Sequence, residues 1–146
     1  MRVLPVLLCL FLVSPAFADD VITKPGNHDV ATTIDRLVEA VQGKGMKVFA
    51  RIDHAAGAAT IGQTLAPAQV LIFGSPQAGT PLMQKDPGVG LDLPLRVLAY
   101  QDADGKTWLN YHDPRGLRTR YTLGELPVPD KMFTLLGLLT DIAAAP

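Results

Sequence analysis

Apolar side chains recur at Ile34, Leu37, Val38 and Val41, the i, i+3, i+4, i+7 spacing that lines one side of a helix. Asp29 stands ahead of them, its carboxylate able to accept from the free N–H groups of a first turn, and Gly43 and Gly45 close the run. The period then changes to two. Val48, Ala50 and Ile52 alternate with Lys47, Phe49, Arg51 and Asp53, which predicts a strand over 47–53 with those two faces. Val70-Leu71-Ile72-Phe73 is a short apolar run, as expected of an interior strand. Leu95–Gln101 and Lys106–Tyr111 flank Asp102-Ala103-Asp104-Gly105, a hairpin turn. After Pro127 and Pro129, Asp130 is expected to cap a last helix with Met132, Leu135, Leu136, Leu139 and Ile142 on one side.

With Val21–Lys24 as a first strand closed by Pro25-Gly26, the order is β-α-β-β-β-β-α. The expected fold class is α+β: a single antiparallel sheet of about five strands, backed by two main helices, with short helical inserts. The inserts fall at His54–Ala59 and from Thr80 or Pro81 to about Lys85, with Gly74–Gly79 left as loop. Two helices cover one face of such a sheet. Phe49, Leu98, Tyr100 and Trp108 fall on positions they need not reach, so the inserts, a second copy of the chain or a ligand must cover them.

The amino terminus follows a different pattern. Met1-Arg2 precedes an apolar run from Val3 to Val13, and Ala16-Phe17-Ala18 has the small-x-small form cut by signal peptidase. Eleven residues are too few to span a bilayer, which takes roughly 20. The expected organisation is a signal peptide over 1–18, cut after Ala18, and a single α+β domain over 19–146, periplasmic or secreted. Cys9 leaves with the signal, so the exported chain has no disulfide and no thiolate chemistry. Arg2 leaves too, and twelve basic side chains then face fourteen acidic ones. That balance argues against a nucleic-acid partner, and against a membrane surface once the signal is gone.

Candidate chemistry is sparse. Ser75, alone in the exported chain, sits in Gly74-Ser75-Pro76 rather than a nucleophile elbow. Gly74 and Gly79 have the glycine spacing of a phosphate loop without its lysine, leaving at most helix-start amides for an anion. His28, His54 and His112 have no metal-ligand spacing, and His54, His112, Met46 and Met83 are only a weak soft-metal set. No metal and no cofactor is expected. Asp53-His54, closing a strand and opening the Ala/Gly segment, is the pair most open to a functional role. If that segment folds back across the sheet, His54 approaches Thr80, Met83 and Asp92. Asp53, His54, Thr80, Met83 and Asp92 are therefore the candidate ligand-binding residues, and no catalytic residue is assigned.

Five segments in order carry a family resemblance. They are Arg51-Ile52-Asp53-His54-Ala55-Ala56-Gly57-Ala58, Leu71-Ile72-Phe73-Gly74-Ser75-Pro76, Gly79-Thr80-Pro81-Leu82-Met83, Leu91-Asp92-Leu93-Pro94-Leu95, and Tyr111 followed by Asp113-Pro114. The chain resembles the bacterial family called domain of unknown function 302 over about residues 20–145. Ser75 departs from the Asn expected there, and His112 stands where Asn or Asp is frequent. The resemblance implies a TATA-binding-protein-like α+β fold, a curved antiparallel sheet backed by helices, and a homodimer; it carries no reaction. The expected function is an exported homodimeric module binding a small molecule or an anion. The alternatives are an enzyme with His54 as general base and an Asp partner, and a non-catalytic, partner-binding accessory protein.

Overall fold

A computed structural model of the chain describes residues 20–146. The signal-peptide reading of residues 1–18 lies outside them. Five strands form one sheet: β1 (Val21–Pro25), β2 (Lys47–Asp53), β3 (Ala68–Gly74), β4 (Leu95–Gln101) and β5 (Thr107–His112). Their order is β1-β5-β4-β3-β2, and every neighbouring pair is antiparallel. Helices α1 (Val30–Gly43) and α5 (Val128–Ala144) pack together and cover one face. The shorter helices are α2 (His54–Ala59), α3 (Pro76–Lys85) and α4 (Leu117–Arg120). The expected β-α-β-β-β-β-α architecture is present.

The core follows from the strand pairing. Leu71, Phe73, Val97, Ala99, Leu109 and Tyr111 point toward Ile34, Leu37 and Val41 of α1 and Leu136, Leu139 and Ala143 of α5. Taking their apolar surface out of water, at about 25 cal/mol per Å², is what fixes both helices to this face. A second cluster joins Leu82, Val89, Leu117, Leu123 and Met132 beneath α3 and the 3-10 turn at Pro87–Leu91. Asp29 caps α1 as its position predicts, accepting from the Thr32 amide at 2.8 Å.

Four local expectations are corrected. In β2 the register shifts between Val48 and Ala50. Val48 therefore pairs with Phe73 on the core face while Ala50 and Ile52 lie on the other, and Phe49 is the extra residue of the bulge. A pure period of two cannot anticipate an inserted residue. Helix α3 begins at Pro76 rather than at Thr80 or Pro81. Proline suits the first turn, where its missing N–H has no partner to lose, so a segment read as loop is already helix. Asp130 is not a cap. Pro127 takes that position, and Asp130 lies in the first turn of α5, ion-paired to Arg118. Ile142 is 40% exposed, and the inward position of the last turn belongs to Ala143.

On the sheet face away from α1 and α5 stand Ile52, Val70, Ile72, Leu98, Tyr100 and Trp108. Val70 and Ile72 are half-buried, whereas Leu71 and Phe73 beside them have no exposed surface. Phe49, displaced by the bulge, is 49% exposed.

Candidate functional site

Where β3 ends, the chain turns into α3, and the start of β4 and the middle of α5 stand opposite. Between them lies a cavity of about 540 Å³. Gly74 lines it, and a Cβ there would make ordinary contact with Pro94 at 3.5 Å and the Phe49 ring at 3.7 Å. From α3 and its entry come Ser75, Ala78, Gly79, Thr80 and Met83. Leu93 and Pro94 line the side before β4 and Leu95 is the first residue of that strand, Met132 and Leu135 line the α5 side, and Met46 and Phe49 come from the β2 region. Met83 lies over Gly90, where a Cβ would come within 2.9 Å of its terminal methyl, so the missing side chain admits the thioether. Three of the four methionines in the chain, Met46, Met83 and Met132, meet here. Such flexible, polarisable side chains make a wall that can change shape.

The polar inventory is short. Among the lining residues Lys44 alone is ionisable, and the hydroxyls belong to Ser75 and Thr80. Ser75 occupies the cap position of α3 without making a side-chain cap bond. No carboxylate or imidazole stands among the lining residues.

The sequence candidates divide. Thr80 and Met83 line the cavity. Asp53 and His54 do not. Lys47 pairs with Gly74 and Asp53 with Gln69, so antiparallel pairing puts the candidate pair at the far end of β2, six residues or roughly 20 Å along the strand. The expected fold-back does not occur, since α2 stays against β3 at its own end of the sheet. There Asp53 caps α2 by accepting from the Ala56 amide at 2.9 Å, and its other oxygen accepts from Gln69 at 3.1 Å. Gln69 in turn accepts from Arg51, which is ion-paired to Asp35 of α1. His54 is the exposed first residue of α2.

Asp92 is also drawn elsewhere. It accepts from Tyr121 Oη at 2.8 Å and from Arg120 Nε at 3.1 Å. That hydrogen bond, first among several causes, raises the Tyr121 phenol above its ordinary value. Asp92, Arg96, His112, Asp113 and Arg120 surround a small pit of about 50 Å³. Beside it, Asp20 lies 3.0 Å from His112 Nδ1 and accepts from Arg120 at 3.1 Å. The His112 hydrogen bond is the largest influence on the Asp20 carboxyl, which sits below its ordinary value. Of the weak soft-metal set, Met46 and Met83 line the cavity, whereas His112 belongs to this pit and His54 to the far end of β2. Met46, Leu93, Leu135 and Met132 complete a site that no local motif announces; three dispersed methionines and the glycines at 74, 79 and 90 are its faint signal in the sequence.

Fold and cavity together define a single-sheet α+β domain with a ligand-sized hollow beside its helix-covered face. The model of the family described as Domain of unknown function DUF302 matches residues 22–135, and the chain belongs to that family. A crystal structure of an uncharacterized conserved protein DUF302 from Bacillus stearothermophilus superposes with a TM-score of 0.75. The likeness covers 86% of this chain and 99% of that one at 21% identity, and it shows the shared fold. Among curated proteins, the chain is 47% identical over 125 residues to a protein of Brucella suis biovar 1 named fluoride-specific ion channel FluC 1. The same identity and length hold for the protein of that name from Brucella abortus biovar 1. These matches take in 84% of this chain but 49% and 46% of the two relatives, so the chain spans about half the length of the proteins it matches.

Proposed function

We propose that the protein is an exported, homodimeric module that binds a small molecule in the cavity between α3, β4 and α5. The observation that carries this reading is the cavity itself. Its volume of about 540 Å³ falls within the roughly 300–1,000 Å³ of small-molecule sites, and its wall is apolar with a few convergent polar groups, the usual composition of such sites. Export is supported by the leader pattern of residues 1–18. Dimerisation is supported by the sheet face away from α1 and α5, where Ile52, Val70, Ile72, Leu98, Tyr100 and Trp108 form an apolar surface. Burying several hundred Å² of that surface contributes on the order of 25 cal/mol per Å² before association costs.

Native mass spectrometry of the protein recovered from its host's periplasm tests all three parts. The expected species is a dimer of chains beginning at Asp19 with a small molecule retained. A chain still carrying residues 1–18 overturns export, a monomer at micromolar concentration overturns the dimer, and a dimer free of ligand that takes up none from host extract overturns the binding role.

A second reading rests on the curated relatives. A channel must cross a membrane, and no helix among the described residues is long and apolar enough to do so. Matching about half of proteins named as fluoride-specific ion channels supports an accessory role beside a membrane partner. Co-expression with the portion of the Brucella suis relative outside the matched 125 residues should then yield a complex that survives detergent extraction. Separate elution of the two sinks this reading and leaves the cavity reading standing.

A further inference from the structure

We infer that the cavity takes an amphipathic anion, a flexible apolar body ending in a single carboxylate; the inference rests on the cavity being the ligand site. Two observations specify the two ends of such a molecule. The wall is largely thioether and aliphatic, built from Met46, Met83, Met132, Leu93, Leu95 and Leu135, and favours a body of hydrocarbon whose shape it can follow.

Charge at the rim is of one sign. Lys44 lines the cavity, and Lys47 Nζ lies 5.6 Å from the centre of the Phe49 ring, itself a lining residue, while no carboxylate lines the wall. Five of the chain's other cations are neutralised by its own carboxylates. Lys24 pairs with Asp141, Arg51 with Asp35, Arg115 with Asp113, Arg118 with Asp130, and Arg120 with Asp20 and Asp92. The Lys44 ammonium is among the described cations without such a partner, and of these it is the one that lines the cavity. Ser75, whose hydroxyl makes no cap bond, adds a donor on the same wall. A carboxylate at the rim answers both groups while the alkyl body leaves water. A cationic head is repelled there, and a neutral one gains only the burial.

Isothermal titration of the full chain, as its host processes it, with octanoate, 1-octanol and octyltrimethylammonium separates these contributions. The expected order of affinity is octanoate, then octanol, then the ammonium compound. Each methylene added to the alkanoate should tighten binding about fourfold, the equivalent of about 0.8 kcal/mol. Lys44→Gln should weaken octanoate by about threefold, as befits a solvent-exposed pair, and leave octanol unchanged. Added salt should erase that difference. Ala78→Trp, placed in the wall, should abolish binding of octanoate and octanol alike.

Equal affinity for the three compounds, or an octanoate affinity indifferent to Lys44→Gln and to salt, overturns the anion while leaving an apolar ligand site. Failure of all three compounds at millimolar concentration, or binding untouched by Ala78→Trp, overturns the site itself.

Discussion

At one end of the β2–β3 pair, Asp53, Gln69, Arg51 and Asp35 hydrogen-bond in a chain that ends on α1, and Asp53 also caps α2. At the other end, beyond Lys47 and Gly74, the backbone opens into an apolar hollow where Ser75 makes no cap bond and a lining lysine has no carboxylate beside it. The polar end is internally satisfied. Its groups spend their hydrogen-bonding capacity on holding a strand end and a short helix in place. The apolar end leaves concave surface and a few polar atoms with nothing of the chain's own to bind. A binding site needs that second condition, whereas conspicuous polar residues are equally common where the chain is merely closing its own hydrogen bonds.

The largest effect belongs to the apolar end. Leu82 has no exposed surface and anchors α3, whose Ala78, Gly79 and Met83 line the cavity. Leu82→Ala should cost about 2–5 kcal/mol in urea unfolding, because transfer energy is lost and the void relaxes only in part. A loss below about 1 kcal/mol would show that α3 is held by something other than this cluster. Asp53→Ala, at the polar end, removes an N-cap from a short helix and should cost about 1 kcal/mol by the same measurement. Ligand binding should be unaffected by it, and loss of binding without loss of fold would join the two ends after all.

Acid sharpens the contrast further, because the hairpin beside the polar end holds Asp102. Its carboxylate accepts from Trp108 Nε1 at 2.7 Å and from the Lys106 and Asp104 amides, each at 2.9 Å. The Trp108 hydrogen bond, first among these causes, lowers the Asp102 carboxyl below its ordinary value of 3.8. A depressed folded-state value stabilises the fold fully above the unfolded value, and that contribution is lost as pH falls through the folded one. Trp108 is the single tryptophan of the chain, so its fluorescence should titrate with a midpoint below 3.8, and Asp102→Asn should remove the transition. A midpoint at or above 3.8 would rule out the hydrogen-bond account.

The smallest effect is expected at His54. Exposed at the start of α2, it should tolerate His54→Gln within about 0.5 kcal/mol and with ligand affinity unchanged. A tenfold change in affinity would move the site to the far end of β2.

The amphipathic period of residues 34–41, the apolar run 70–73 and the turn at 102–105 determined most of the fold by themselves. Each is a local pattern whose burial has one economical solution, two helices laid on one face of a sheet. Thr80 and Met83 were also legible, since they follow a strand end and a glycine-rich turn. Asp53 and His54 were legible only as chemistry, and their place depended on antiparallel pairing, which carries the ends of β2 and β3 apart. The bulge at Phe49, the early start of α3 and the partners of Asp92 belong to the tertiary structure. So does the cavity, because its wall is assembled from α3, α5, the β2 region, the segment before β4 and the start of that strand, with lining residues as much as 91 positions apart, from Lys44 to Leu135. A concave apolar surface is a relation between elements, and no single stretch of chain contains the spacing that would reveal it.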